Sequence, residues 1–196
     1  MKNRVAAGGS TDLSDSYTRI VVLCEDKQQA VFINRFLIKC GENRHNIYTK
    51  FNPPGQGAGE QFVREQYATE VAGYRSRATM LNVALVVMRD CDTRTLEETR
   101  STLERTAPRR PNERVALLFP KRNIETWIHF LMSGQAVDET RRYRRLSLES
   151  ECHDAVDRLA AKNEYRLSSD VPDSLRAACA EIRRIFDKKR CIQVAE

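Results

Sequence analysis

The run Val83-Ala84-Leu85-Val86-Val87-Met88, followed by Arg89-Asp90-Cys91-Asp92, decides how this chain is read. A short apolar run of this kind is a strand, and this one delivers two alternate carboxylates at its tip. An earlier run, Ile20-Val21-Val22-Leu23-Cys24, ends the same way in Glu25-Asp26. Open α/β folds gather their ligands at the carboxyl edge of a parallel sheet. Two acid-tipped strands therefore predict a Mg²⁺ site at that edge, and with it phosphate chemistry.

Working outward, Phe32, Ile33, Phe36, Leu37 and Cys40 recur at helical spacing, with Gly41 placed to end the helix. A strand around Asn46 to Phe51 comes next. The loop Asn52-Pro53-Pro54-Gly55-Gln56-Gly57-Ala58-Gly59 then leads into a helix marked by Val63, Tyr67, Val71 and Tyr74. After the Val83–Met88 strand, Thr95 and Glu98 form a capping box, opening a helix that is expected to run until Pro108 and the Arg109-Arg110-Pro111 turn. Val115 to Phe119 reads as the fourth strand. Strands alternating with helices predict an α/β, Rossmann-like sandwich: a central, mostly parallel four-stranded sheet with helices on both faces and right-handed crossovers.

Beyond Pro120 the strand signal stops. Ile124, Trp127, Ile128 and Leu131 mark one amphipathic helix, Leu148, Cys152, Val156 and Leu159 a second, and Leu175, Cys179, Ile182 and Phe186 a third. The C-terminal third is thus read as a helical extension packed on the sheet. With 196 residues, 41% of them hydrophobic, the chain can bury one core, which favours one domain plus an appendage over two full domains. No internal repeat is present.

No window approaches the roughly 20 consecutive apolar residues of a membrane helix, and the polar, Gly/Ser/Asp-rich start is not signal-like. A soluble, cytoplasmic protein with a disordered tail over residues 1–17 is expected. The six cysteines, Cys24, Cys40, Cys91, Cys152, Cys179 and Cys191, contain no CxxC pair and read as core fillers in a reducing compartment. Residues 100–145 carry eleven Lys/Arg against five Asp/Glu, a surplus equal to the whole net charge of +6. Such clustering suits a polyanion-binding groove, although a solvated face gives the same count.

Within a strand, Asp90 and Asp92 at i and i+2 point the same way, and where the strand frays both can reach one ion. Mg²⁺ takes hard oxygen ligands at about 2.0–2.1 Å and keeps several waters, so two or three carboxylates suffice. The plainer alternative is that Asp92 begins the following helix. Glu125 lies in the first turn of the helix after the fourth strand, at the same edge of the sheet. It either completes the acidic cluster or is a helix N-terminal charge. His129, four residues on, reads first as a polar neighbour and second as a base. The glycine-rich loop lacks the Lys-Ser/Thr of a P-loop and reads as a flexible connector. Arg141-Arg142-Tyr143-Arg144-Arg145 and Lys188-Lys189-Arg190 read as phosphate contacts or as solvated runs.

With Glu25 after the first strand and Asp90-Cys91-Asp92 after the third, the chain resembles the TOPRIM fold of topoisomerases, bacterial primases, recombination proteins and OLD-type nucleases. The resemblance covers roughly residues 18–135, with residues 136–196 as the helical extension. The segment Pro120-Lys121-Arg122-Asn123-Ile124-Glu125-Thr126-Trp127-Ile128-His129-Phe130 is similar to an element of small stand-alone TOPRIM-like proteins of the RloB and OLD-associated kind, many of them from bacterial anti-phage systems. The resemblance implies that Glu25 works in proton transfer or metal binding, that Asp90 and Asp92 hold Mg²⁺, with Mn²⁺ as a substitute, and that Glu125 is a further ligand. One departure is Asp26, which stands where the family commonly has glycine and crowds or extends the site.

A type IA topoisomerase needs further domains and a primase normally brings a zinc module, so the expectation that remains is metal-assisted hydrolysis of DNA or RNA phosphodiesters. Lys121, Arg122, Arg141, Arg142, Arg144 and Arg145 are the candidates for holding the nucleic acid. A homo-oligomer and a partner ATPase of a defence system are further expectations, and no membrane partner is. Two alternatives stand beside this one. The first is a catalytically silent nucleic-acid-binding or assembly subunit. The second is a receiver-like phosphoacceptor domain, which the single strand between Asp90 and Lys121 argues against.

Overall fold

A computed structural model describes residues 17–161 and 170–186. Lys188-Lys189-Arg190, Cys191 and all but the last residue of the 1–17 tail lie outside them. The sheet is four-stranded and entirely parallel, β1 (Arg19–Cys24), β2 (Ile47–Phe51), β3 (Val83–Met88) and β4 (Val115–Leu118), in the order β2-β1-β3-β4. Six α-helices among the described residues flank it: α1 (Lys27–Lys39), α2 (Gly59–Ala78), α3 (Leu96–Glu104), α4 (Ile124–Ser133), α5 (His153–Ala161) and α6 (Asp173–Ile182). The architecture is a Rossmann-like α/β fold.

Alternation along the strands divides the core in two. Ile20, Val22, Cys24, Ala84, Val86, Met88, Ala116 and Leu118 pack against α1, α4, α5 and α6. Val21, Leu23, Leu85, Val87, Val115 and Leu117 pack against α2 and α3. β3 is buried along its whole length, which is why it reads as an unbroken apolar run. From β1 the chain moves through α1 to β2 on one side, then returns through α2 on the opposite face to β3 on the other side of β1. The carboxyl ends of β1 and β3 therefore flank the point where winding reverses, the place where such sheets open a crevice.

The helix ends follow from local chemistry. α1 stops in a Schellman turn, with Glu42 N–H on Leu37 O and Gly41 N–H on Ile38 O, each at 3.0 Å, and Gly41 at φ +91°. Thr95 and Glu98 make the expected capping box on α3. That helix ends at Glu104, short of Pro108, because the Thr106 and Ala107 N–H groups both turn back to Leu103 O. β4 ends one residue before Phe119, where Pro120, which has no N–H, comes next. The helix expected around Leu148 is a 3-10 turn, Glu149–Cys152, running into α5. Phe186 lies beyond α6, its N–H bonded to Ile182 O.

The C-terminal helices belong to the sheet's own core. Arg35 of α1 forms a two-pronged pair with Asp157 of α5 at 2.7 and 2.6 Å. Trp127 Nε1 of α4 donates to Ser174 Oγ of α6 at 2.7 Å, and Tyr17 OH donates to Ile185 O. The outer edge of β4 is sealed by side chains, with Leu117 N–H on Glu181 Oε2 and Arg109 Nη1 on Val115 O, each at 3.1 Å. Cys24, Cys91, Cys152 and Cys179 are buried free thiols and Cys40 is half-buried, as core fillers should be. No helix among the described residues is long and apolar enough to cross a membrane.

Candidate metal centre

Glu25 and Asp90 leave neighbouring strands one residue apart in height, because β1 and β3 run in register from Arg19 opposite Val83 to Cys24 opposite Met88. Backbone bonding continues past the strand ends. Asn52 N–H reaches Glu25 O at 3.3 Å, Arg89 N–H reaches Leu118 O at 3.1 Å and Cys91 N–H reaches Pro120 O at 2.8 Å. The two acids meet directly, Asp90 N–H donating to Glu25 Oε1 at 3.2 Å.

Gln29, fully buried in the first turn of α1, ties the pair together. Its Oε1 accepts Glu25 N–H at 3.0 Å and its Nε2 donates to Asp90 Oδ1 at 2.8 Å. Asp26 is the N-cap of α1, its Oδ1 accepting Gln29 N–H at 2.9 Å. From the other side α2 begins hard against Glu25. A Cβ at Gly59 would lie 2.7 Å from Glu25 Cβ and 2.8 Å from Glu25 O, so only glycine fits without displacement. Glu25 and Asp90 thus each commit one oxygen to the protein and keep the other uncommitted.

The acids repel one another. Burial pushes the Glu25 carboxyl up to about 8, Asp92 and Asp26 adding to the rise and Arg89 opposing it. Asp90 is held well above its usual range by burial first, then by Glu25, Asp26, Glu125 and Asp92. Glu125, 5% exposed at the start of α4, is raised by burial and by Asp26, against its own backbone N–H, Arg145 and Arg142. Asp90 is therefore acted on by Glu25, Asp92 and Glu125, and Glu25 by Asp92. Asp92 is placed differently from expectation. β3 ends at Met88, and Asp92 is an exposed loop residue in the left-handed region at φ +52°. It neither continues a strand nor begins α3, whose N-cap is Thr95. Among the described residues, no three His, Cys, Asp or Glu side chains stand close enough as they are to cage an ion.

The basic candidates separate. Lys121 Nζ donates to Arg94 O at 2.8 Å, and the half-buried Arg122 has its Nε buried without a partner. Much of the 100–114 surplus is neutralised, Arg100 and Arg109 on Glu181 and Arg110 facing Glu113. The 141–145 arm is what remains. Tyr143 anchors it: its carbonyl accepts Asn123 Nδ2 at 3.1 Å, its hydroxyl accepts Asp138 N–H at 3.1 Å, and its ring stacks on His129 at 4.7 Å. His129 is an exposed support for that ring, away from the acids' hydrogen bonds. Arg142 and Arg145 act on Glu125, and Arg145 lines a cleft of about 190 Å³ that begins at Asp26 and Glu125. Arg141 and Arg144 are exposed on the same arm.

Sequence reasoning missed Gln29, Gly59 and the pair Arg89–Glu60. Arg89 is wholly buried, its charge depressed by burial and supported by Glu60, which also binds Arg94 Nη1 at 2.6 Å. Its place directly before Asp90 was the available signal. Comparison with protein-family models, curated proteins and solved structures returned no match for this chain.

Proposed function

We propose that this protein is a Mg²⁺-dependent TOPRIM-type nuclease that hydrolyses phosphodiester bonds of DNA or RNA, with Glu25, Asp90, Asp92 and Glu125 as the residues that hold the cation. The observation that carries the reading is the direct contact of Glu25 with Asp90 at the winding reversal of a parallel sheet, each carboxylate keeping one oxygen without a protein partner.

The donor set fits the ion. It is made of carboxylate oxygens, the preferred ligands of a hard cation, and Mg²⁺ binds through one or two protein carboxylates with water completing its shell, so a three-acid cage is not required. When bound, the cation supplies Lewis-acid stabilisation of the charge that develops on the phosphoryl oxygens. The protein's own groups do the rest. Gln29 holds the Glu25 main chain and the Asp90 N–H holds Glu25 Oε1, leaving its second oxygen to take a proton from an attacking water or return one to the leaving oxygen. The arm held by Tyr143 presents Arg141, Arg142, Arg144 and Arg145 to the polyanion.

The test is incubation of purified protein with plasmid, linear DNA and total RNA under Mg²⁺, Mn²⁺ or EDTA, beside the double variant Asp90→Ala/Asp92→Ala. Cleavage in Mg²⁺ or Mn²⁺ that disappears with EDTA and drops by orders of magnitude in the variant is the expected result. Retained binding without cleavage of any substrate, in wild type and variant alike, would replace this reading with a silent nucleic-acid-binding subunit.

A further inference from the structure

The cleft between the start of α1, the first turn of α4 and the segment from Arg145 to Glu149 is not used by the two strand-tip acids. Its lining sets two cations, Lys27 and Arg145, against three carboxylates, Asp26, Glu125 and Glu149. Lys27 is already spent on Glu149 at 3.3 Å. Arg145 makes no ion pair or hydrogen bond among the described residues, yet its charge acts on Glu125 across the cleft. Glu125 in turn is 5% exposed, lines the cleft, and has no hydrogen-bond partner among other described residues.

We propose that this cleft is a phosphate seat that accepts its ligand only together with a divalent cation, Arg145 binding the phosphate and Glu125 facing the cation. The inference rests on the reading of the acids as a metal site and adds the order and chemistry of binding. A bare phosphate would meet Arg145 but also Asp26 and Glu125, and the carboxylates outweigh the guanidinium. A bare cation would meet the carboxylates but also Arg145. Each ligand neutralises the charge that disfavours the other, so the two raise each other's affinity by the same factor, as linkage requires. Lys121 is not among the residues that line this cleft, and its ammonium donates to Arg94 O. The phosphate belongs either to a nucleic-acid backbone or to a free nucleotide, and both present the same group.

Titration calorimetry separates these. Mg²⁺ alone is titrated first; then inorganic phosphate, a nucleoside triphosphate and a dinucleotide with an internal phosphodiester are titrated with and without Mg²⁺, into wild type, Arg145→Ala and Arg145→Lys. Mg²⁺ is expected to bind wild type, and no phosphate probe to bind without it. Dinucleotide binding in Mg²⁺ identifies a polymer backbone as the ligand, and triphosphate binding identifies a free nucleotide. Arg145→Ala should weaken the phosphate probe about ten- to a hundredfold while leaving Mg²⁺ binding equal or several-fold tighter, with Arg145→Lys between. A merely structural residue would weaken both ligands together. Failure of Mg²⁺ to bind at all sinks the metal-site reading. Mg²⁺ binding accompanied by phosphate binding that needs no cation, or that ignores Arg145→Ala, overturns the seat alone.

Discussion

Replacing Glu25 with Gln should make the cation-free protein more stable, although it removes a proposed ligand. Glutamine keeps the volume and offers a carbonyl oxygen to the Asp90 N–H that now bonds Glu25 Oε1 at 3.2 Å. What it removes is a charge that burial and Asp92 disfavour, a carboxyl lifted from 4.5 to about 8. At pH 7 the unfolded chain ionises this group freely while the folded one resists, a cost of at most roughly 3 kcal/mol. A carboxyl raised in this way holds its proton more tightly folded than unfolded. The stability it confers is complete below pH 4.5 and drains away as pH rises to about 8. Thermal melts in EDTA should therefore coincide for wild type and variant near pH 4, separate progressively, and differ by about 3–10 °C at pH 8. Mg²⁺ should close the gap by stabilising wild type more than the variant. A variant that melts at or below wild type at pH 8 in EDTA, or a gap that does not change with pH, would refute the electrostatic account.

Gly59→Ala should cost up to about a hundredfold in cleavage rate, since the new Cβ meets Glu25 Cβ at 2.7 Å, while circular dichroism stays that of wild type; undiminished cleavage would remove Gly59 from the site. Glu181→Ala should destabilise by about 1–3 kcal/mol in denaturant melts, leaving Arg109 with Glu104 as its remaining carboxylate partner and the Leu117 N–H without its acceptor. Burial alone would raise the Glu181 carboxyl, but Arg109 and Arg100 hold it below its usual range. Its stabilisation is thus present at neutral pH and lost as acid titrates it, and Glu181→Gln should flatten the acid limb of wild-type stability. Replacing Arg142 and Arg144 together by Ala should lower the salt slope of duplex-DNA binding by about 0.9 for each phosphate that an arginine no longer neutralises, measured by fluorescence anisotropy from low to moderate salt.

The sheet was legible because β1 and β3 are buried on both faces and their residues form unbroken apolar runs, something few other arrangements require. The capping box at Thr95 and Glu98 and the glycine after α1 were legible because each is a local backbone need met by a particular side chain. Strand order was not. Whether β3 lies beside β1 or beyond β2 depends on which face α2 covers, and Val63, Tyr67, Val71 and Tyr74 specify an apolar stripe without saying which side of the sheet it meets. Helix ends at Glu104 and Ile182 were overrun for a related reason: the apolar period continues through Ala107 and Phe186, which are buried in turns rather than helices.

At the candidate site the carboxylates could be read and their supports could not. Glu25 and Asp90 sit at the ends of obvious strands, so their convergence follows from strand adjacency alone. Gln29 looks, in sequence, like one polar residue among the solvent-facing positions of an amphipathic helix, and only the fold reveals that both ends of its amide are used inside. Gly59 belongs to a loop that reads as a connector. Gly55 and Gly57 fit that description, with positive φ and open space around them, whereas Gly59 is required by the approach of α2 to Glu25. Asp26 is the instructive case. In sequence it reads as an extra charge at the centre, and it does add to the repulsion on Glu25 and Asp90. Its carboxylate, however, is also bound to the Gln29 N–H, which sets the turn that carries the Gln29 side chain to Asp90. The same residue therefore raises the electrostatic cost of the cluster and helps to hold it in place.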